Sequence, residues 1–419
     1  MYRHLILNFI MSIKFSNPNN AYVTFSDRVG TKKILNANVG EFIEDILLRN
    51  YIPLNSVLIL ANNQPVAENC EIIEGIDYHV KLIEGYDINA ITKNYTEEKS
   101  QIVEAYYKKR LVIHSKGNVY VESQQMNLQM LQEYVDRTIF ETFQEFKLAN
   151  NGSNVLIGLS GGVDSSSLLF ALSEMKKEIG FNLIAATFED FDTKKSPTFL
   201  NAQRITQQLN VPYYLIPSSE INKIFKTNKP LNEILLELMN TKHAHYVMYI
   251  DHHTTRRALE VFAARNNITE IALGLHTTDI VAGLINSHLT GYYISDIPKR
   301  KIGNINYIYP LSYITKKELH LYYYAITGKF AEHSSPNQWE LNPLDRNFYY
   351  YLADQVQTYF PGIELNLFEA HNLKIRKNRF PEFTICENCG SHILQQNFEL
   401  VNPALCDVCN IFEQYEYLK

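Results

Sequence analysis

The segment NVLIGLSGGVDSSSLLFAL, Asn154 to Leu172, constrains this chain more than any other stretch. Val155 to Leu159 are aliphatic without polar alternation, as in a parallel strand buried on both faces. Gly161 and Gly162 then allow positive φ and present no Cβ to a ligand. Ser165 to Ser167, followed by Leu168, Leu169 and Leu172, read as the first turns of a helix laid on the sheet. A strand that turns on two glycines into a helix points backbone N–H groups outward at the helix start, which makes an anion site. The spacing is neither the GxxxxGK[ST] of a Walker A loop nor the GxGxxG of a dinucleotide turn. An ordinary strand-to-helix turn with a capping serine is the alternative.

The residues Ser160 to Ser166, SGGVDSS, resemble the PP-loop signature of the N-type ATP pyrophosphatases. That group includes GMP synthetase, NAD synthetase, asparagine synthetase, tRNA lysidine synthetase and the tRNA thiolases. The resemblance implies a loop that holds the pyrophosphate part of ATP while a substrate oxygen attacks the α-phosphate, leaving an adenylated substrate and magnesium pyrophosphate. It implies nucleotide binding by Ser160, Gly161, Gly162, Val163, Asp164, Ser165 and Ser166, with Ser160 and Ser165 on phosphate oxygens and Asp164 holding Mg2+.

Five cysteines are present, and four lie near the end as CENC from Cys386 and CDVC from Cys406. Two CxxC pairs, Cys386 with Cys389 and Cys406 with Cys409, form a zinc-ribbon arrangement in which each pair sets two thiolates on a tight knuckle. Disulfides are disfavoured, since CxxC strains a structural disulfide and nothing suggests secretion. A redox CxxC needs only one pair. With all four ligands from the protein, Zn2+ here is expected to be structural.

With 419 residues and 46% hydrophobic content the chain can bury more than one core. No apolar run is long enough to cross a bilayer, and LILNFIM near the start lacks a basic flank and cleavage site, so a cytoplasmic protein with no membrane partner is expected. Because SIKF after Met11 is strand-like, the first ten residues read as a translation-start extension. A net charge of −6 gives no global electrostatic case for nucleic acid. Two basic clusters, Lys299 to Lys301 and Lys374, Arg376, Lys377 and Arg379, read as solvated loops, and Tyr349 to Tyr351 as a helix with aromatic faces.

Before the glycine turn, SIKFS and AYVTF read as strands, VGEFIEDILLRNYI as a helix with Phe42, Ile43, Ile46, Leu47 and Ile52 on its apolar side, and SVLILANNQPVA as a strand with an Asn-Asn turn. IDYHVKLI closes this α+β roll as another strand. In VLILANNQPV and EGIDYHVKLIEG the unit resembles the ubiquitin-like sulfur carriers. Those end in Gly-Gly, whereas Glu84 to Asp87 stand here and the chain continues, so a docking or architectural role is expected. Cys70 reads as a lone core or loop thiol. EEKSQIVEAYYKKR and NLQMLQEYVDRTIFETFQEFKL carry apolar residues at three- and four-residue steps and read as helices.

After Asn150 the pattern alternates strand and helix, the mark of a doubly wound, Rossmann-like α/β parallel sheet. Ligands in such sheets bind beyond the carboxyl ends of the strands, which gathers Thr187, Phe188 and Gly274 to Asp279 around Ser160 to Ser165. The expected organisation is a ubiquitin-like unit over 1–90, a helical connector over 91–150, a PP-loop domain over 151–325, a helical segment over 326–380 and a zinc ribbon over 381–419.

Beyond the loop the chain resembles the tRNA thiolases, which carry Arg-Arg before a helix, a GHHxDD-like segment, and a Pro-Leu strand end followed by a helix. Arg256-Arg257, Gly274 to Asp279 and Pro310-Leu311 match these positions. Leu275 and Thr278 replace one histidine and one aspartate, and His276 and Asp279 remain, joining Asp164 as catalytic candidates. The CxxC that precedes the double arginine in those enzymes is Tyr249-Ile250-Asp251-His252 here, and no cysteine lies between Cys70 and Cys386. Asp251, His252 and His253 with Asp279 could instead serve proton transfer or a metal, or form a polar turn; His243 and His245 read as surface residues.

Three functions stay open. The leading one is an AMP-forming enzyme using ATP and Mg2+ to adenylate a carbonyl or amide oxygen of a tRNA nucleobase, served by a sulfur- or nitrogen-donor protein. The others are a ligase with a small-molecule acceptor and a non-catalytic ATP-binding module. The resemblance also brings a homodimer into consideration.

Overall fold

The computed structural model describes residues 20–26, 32–50, 52–83, 106–113, 119–189, 197–290, 296–330, 346–377, 383–394 and 402–419. Residues 84–105, which include Glu84 to Asp87 and the start of EEKSQIVEAYYKKR, lie outside them, as do SIKFS, the first ten residues and Arg379.

The central sheet has six strands in the order β10-β9-β8-β11-β13-β12. These are β8 (Asn154–Gly158), β9 (Asn182–Phe188), β10 (Tyr213–Ile216), β11 (Glu270–Ala272), β12 (Lys299–Ile302) and β13 (Ile305–Ile308). All neighbours pair in parallel except β12 with β13. From β8 the chain moves outward to β9 and β10, then returns to add β11 on the other side. The order therefore reverses at β8, and the crevice beyond that strand's carboxyl end is where a doubly wound sheet takes its ligand. The expected α/β sheet is the one observed.

Side chains of β8 alternate between two cores. Val155 and Ile157 join a core with α2 (Leu128–Glu145), α3 (Val163–Ile179), α4 (Pro197–Gln208) and α9 (Lys316–Thr327). Leu156 faces the opposite core, built from α5 (Ser218–Phe225), α6 (Leu231–Leu238), α7 (Val247–Arg265) and the cysteine-bearing residues 386–393 and 405–417. α2 starts at Asn127, whose side chain accepts from Met130 N, and α9 at a capping box in which Thr315 and Glu318 each bond the other's backbone. The Lys299 to Lys301 cluster, expected in a solvated loop, lies on the edge strand β12, where Lys299 Nζ donates to Lys147 O at 2.5 Å.

The N-terminal unit is a five-stranded sheet in the order β2-β1-β5-β3-β4, with α1 (Ile43–Arg49) over one face. β1 (Asn20–Ser26) and β2 (Lys32–Asn38) are antiparallel, β1 and β5 (Tyr78–Leu82) parallel, and β5 and β3 (Val57–Ala61) antiparallel. Asn62 and Asn63, both at positive φ, turn the chain from β3 into β4 (Gln64–Pro65). One sequence reading is corrected here: Phe42 is 40% exposed while Ile43, Ile46, Leu47 and Ile52 are buried. KKILNAN, which its composition does not mark as a strand, pairs with AYVTF.

YYKKRLVI, read as the end of a helix, is strand β6 (Tyr106–Ile113), paired with β7 (Val119–Met126) as a separate hairpin. Its aromatic and β-branched content suits a strand better than a helix. The N-terminal unit is joined to α9 by a buried ion pair, Lys317 Nζ to Glu68 Oε2 at 3.1 Å. Leu54 N donates to Thr358 Oγ1 of α10 (Arg346–Tyr359) at 3.1 Å, and Tyr324 OH bonds Gln64 Oε1.

Candidate functional site

Beyond β8, Gly161 adopts φ +82°, and a Cβ there would sit 1.8 Å from Thr198 O and 3.1 Å from Ala202 N. Only glycine lets the loop lie this close to α4. Asn201 of α4 donates to Gly161 O at 2.8 Å and is itself held by Arg204 Nη2, also at 2.8 Å. Nothing in the glycine motif pointed to Asn201, which sits 40 residues away.

The Ser165 hydroxyl is buried inside the turn, where Ser160 N and Gly161 N both donate to it at 3.2 Å and Ser160 Oγ lies 3.0 Å away. Gly162 is the residue before α3, in extended backbone and with no side-chain cap. A Cβ on it would meet only Ser160 Oγ, at 3.5 Å. The first-turn N–H groups of α3 lack intrahelical acceptors and face the crevice with the positive end of the helix dipole. Asp164 stands in that turn. Val163 packs into the core, so its contribution to the turn is backbone, and Ser166 is fully buried with no protein partner for its hydroxyl among the described residues.

Thr187 and Gly274 lie against the residues of this loop, but several side chains of their two segments are already engaged. Thr187 donates from Oγ1 to Leu159 O at 2.5 Å, tying β9 to β8, and Phe188 packs toward the opposite core. Gly274 crosses the start of α3 so closely that a Cβ would lie 3.1 Å from Asp164 C and Ser165 N. His276 and Asp279 frame the start of α8 (Thr277–Thr290). Asp279 Oδ2 accepts from His276 N at 3.0 Å, and Asp279 N donates back to His276 Nδ1 at 3.3 Å. Tyr350 of α10 donates to the other Asp279 oxygen.

Residues 131–349, just over half of the chain, match the model of the PP-loop domain family. The chain belongs to the PP-loop domain family. It is 25% identical over 190 residues to a tRNA-cytidine(32) 2-sulfurtransferase of Acinetobacter baylyi, covering 44% of this chain and 58% of that protein. A protein of the same description from Photorhabdus laumondii is 26% identical over 214 residues, covering 49% and 64%. The chain thus spans less than two thirds of these relatives. Among solved structures, the U34-tRNA thiolase NcsA from Methanococcus maripaludis with its [4Fe-4S] cluster has the same fold, at TM-score 0.52, 18% identity, and coverage of 73% of this chain and 93% of that one.

The PP-loop domain carries the cysteines on its far side. Cys386 and Cys389 follow β14 (Phe383–Ile385), ahead of β15 (His392–Leu394). The second pair is not on a second knuckle. Cys406 is the residue before α12 (Asp407–Gln414) and Cys409 lies in its first turn, where unpaired N–H groups and the dipole favour thiolates. The four Sγ atoms are buried within 4.8 Å of one another and form a metal-binding site. The neighbouring Cys386, Cys406 and Cys409 thiols hold Cys389 well below the ordinary thiol range.

Arg256 and Arg257 fall inside α7, and His253 one turn earlier points to the cysteines. Arg257 Nε donates to Cys389 O at 2.8 Å, its Nη1 pairs with Glu260 at 2.8 Å, and Glu260 accepts from Tyr307 OH. His243, read as a surface residue, is half-buried, with Nδ1 3.0 Å from Tyr415 OH. No helix among the described residues is long and apolar enough to cross a membrane.

Proposed function

We propose that this protein binds MgATP at Ser160 to Ser166, adenylates a carbonyl or amide oxygen of a tRNA nucleobase with release of pyrophosphate, and admits a nucleophile that displaces AMP. The observation that carries the reading is the uncapped start of α3 behind a loop whose shape is set by Ser165, Gly161 and Asn201. Such a preformed cluster of N–H donors stabilises pyrophosphate as it leaves. Asp164, in the same turn, is the Mg2+ ligand in this reading, and the metal would offset phosphate charge. The sequence similarity to tRNA sulfurtransferases supports tRNA as acceptor. His276 and Asp279 brace each other at the start of α8, and a proton-transfer role for Asp279 would require Tyr350 to release it.

The nucleophile enters from outside the chain. Four of the five thiols are gathered at the metal site, and burial pushes the fifth, Cys70, up to about 12, leaving it protonated at neutral pH. A donor that brings sulfide, a thiocarboxylate or ammonia fits, so a ligase acting on a small carboxylate is the second reading. The metal we assign is zinc. Tetrahedral Zn–S bonds of about 2.3 Å separate sulfurs by about 3.8 Å, and Cys389 Sγ lies 3.8 Å from Cys406 Sγ. The β2-β1-β5-β3 order supports a ubiquitin-like reading of the N-terminal unit.

The test uses ATP labelled at the α-phosphate, given to the protein alone, with bulk tRNA, or with a small-molecule extract. Labelled AMP only with tRNA is the expected result. AMP only with the extract would replace tRNA by a small acceptor, and intact ATP throughout would reduce the protein to a binding module. Asp164→Asn should lower AMP formation at least about 100-fold if that carboxylate holds the metal, and a near wild-type rate would remove it from that role.

A further inference from the structure

The four sulfurs have hydrogen-bonding partners outside the metal-ligand set. Cys406 N donates to Cys386 Sγ at 3.3 Å, and Asn388 Nδ2 to Cys409 Sγ at 3.4 Å while also reaching Phe225 O at 2.7 Å. The remaining two sulfurs face His253, which is 6% exposed. His253 Nε2 lies 3.9 Å from Cys406 Sγ and 3.2 Å from Ser391 Oγ, and that hydroxyl lies 3.1 Å from Cys389 Sγ.

The direction of these bonds follows from Arg256. Its Nη2 is 3.2 Å from His253 Nδ1, and a guanidinium can only donate. Nδ1 is therefore the acceptor and Nε2 carries the ring proton. Nε2–H donates to Ser391 Oγ, and once Cys389 is a metal-bound thiolate, which can only accept, the hydroxyl proton points at its Sγ. From Arg256 through His253 and Ser391 to Cys389, every donor faces the same way, from a cation toward a sulfur.

We propose that Arg256, His253 and Ser391 form a hydrogen-bond relay that tunes and orients the thiolates of the four-cysteine metal site, so that α7 of the nucleotide domain is part of the metal centre. Four thiolates around one divalent ion carry an excess of two negative charges in a buried place. Each N–H or O–H donor aimed at a sulfur disperses part of that charge and lowers the sulfur's donor strength. Outer partners of this kind also fix ligand orientation, and their loss typically lowers metal affinity about 10–100-fold. Arg257 acts on the same knuckle from its backbone side, at Cys389 O. The two arginines and the histidine thus serve the metal site, although Arg257 and His253 lie 132 and 138 residues before their partners there.

The full-length protein, stripped of metal under reducing conditions and reloaded with Zn2+ or Co2+ against a competing chelator, tests this. His253→Phe and Ser391→Ala should weaken zinc about 10–100-fold and move the sulfur-to-cobalt charge-transfer band to longer wavelength. His253→Gln, which restores an N–H donor, should recover most of both. Arg256→Met should weaken zinc in the same direction and by less. If His253→Phe does not fold, Ser391→Ala and Arg256→Met decide. Unchanged zinc affinity and an unshifted cobalt band in the folded variants would overturn the relay. So would His253→Gln behaving like His253→Phe, because the lost packing of the ring would then account for the effect.

Discussion

Gly161 and Gly162 are neighbours with opposite demands. At Gly161, alanine would meet Thr198 O at 1.8 Å and hold a left-handed backbone that costs about 1–2 kcal/mol before any clash. Gly161→Ala should therefore lower stability by at least about 2 kcal/mol, seen as a reduced urea midpoint. Gly162 has ordinary φ and open space, so Gly162→Ala should melt with the wild type and lose ATP affinity, as a methyl group enters the anion site. Equal losses of stability in both variants would show that the loop is not shaped as described. Both glycines were legible in the sequence, because a strand, two glycines and a helix leave few conformations. Asn201 was not, because a side chain that supports a loop from another helix leaves no local pattern. The engaged hydroxyl of Thr187 was likewise invisible, since placement at a strand end says nothing of where a side chain turns.

At the scale of elements, the six-stranded sheet followed from aliphatic runs alternating with helical spacing, and the reversal at β8 put the crevice where the glycine turn was. The failures have local causes. KKILNAN combines Asn and Ala, poor strand formers, and is specified by Leu35 and Ala37 turning inward against α1. YYKKRLVI was drawn into a helix by the spacing upstream of it, although its own aromatic and branched residues favour pairing. The CxxC spacing announced a metal site, but not that the second pair opens helix α12. With metal bound, the four clustered thiols should resist a chromogenic disulfide at pH 8. A chelator should expose those four, and Cys70, with its thiol pushed up to about 12, should react only on unfolding. A cluster thiol reacting equally fast without chelator would mean that the metal does not hold it.

For the whole molecule, the buried Lys317–Glu68 pair makes the N-terminal sheet and the nucleotide domain one mechanical body. Removing one partner of a buried pair typically costs about 3–5 kcal/mol, whereas replacing both with apolar groups costs far less. Lys317→Met should accordingly lower the free energy of unfolding by that amount, and Glu68→Leu with Lys317→Met should recover most of it. An additive double variant would show that the pair is not coupled. Leu58 and Ile83 of the N-terminal unit share the core of α2 and α3, so one unfolding transition is expected by both fluorescence and circular dichroism. The opposite core is completed by residues far along the chain. Asn228 Nδ2 bonds Glu416 O across 188 residues, a distance a ribosome covers in roughly 10–40 s at about 5–20 residues per second. For most of that interval Phe225, Leu235 and Ile250 have been made while Cys409, Phe412 and Tyr417 have not. Vectorial synthesis therefore leaves an unfinished apolar surface on the nascent nucleotide domain, and closing it must wait for the segment that also brings the metal ligands.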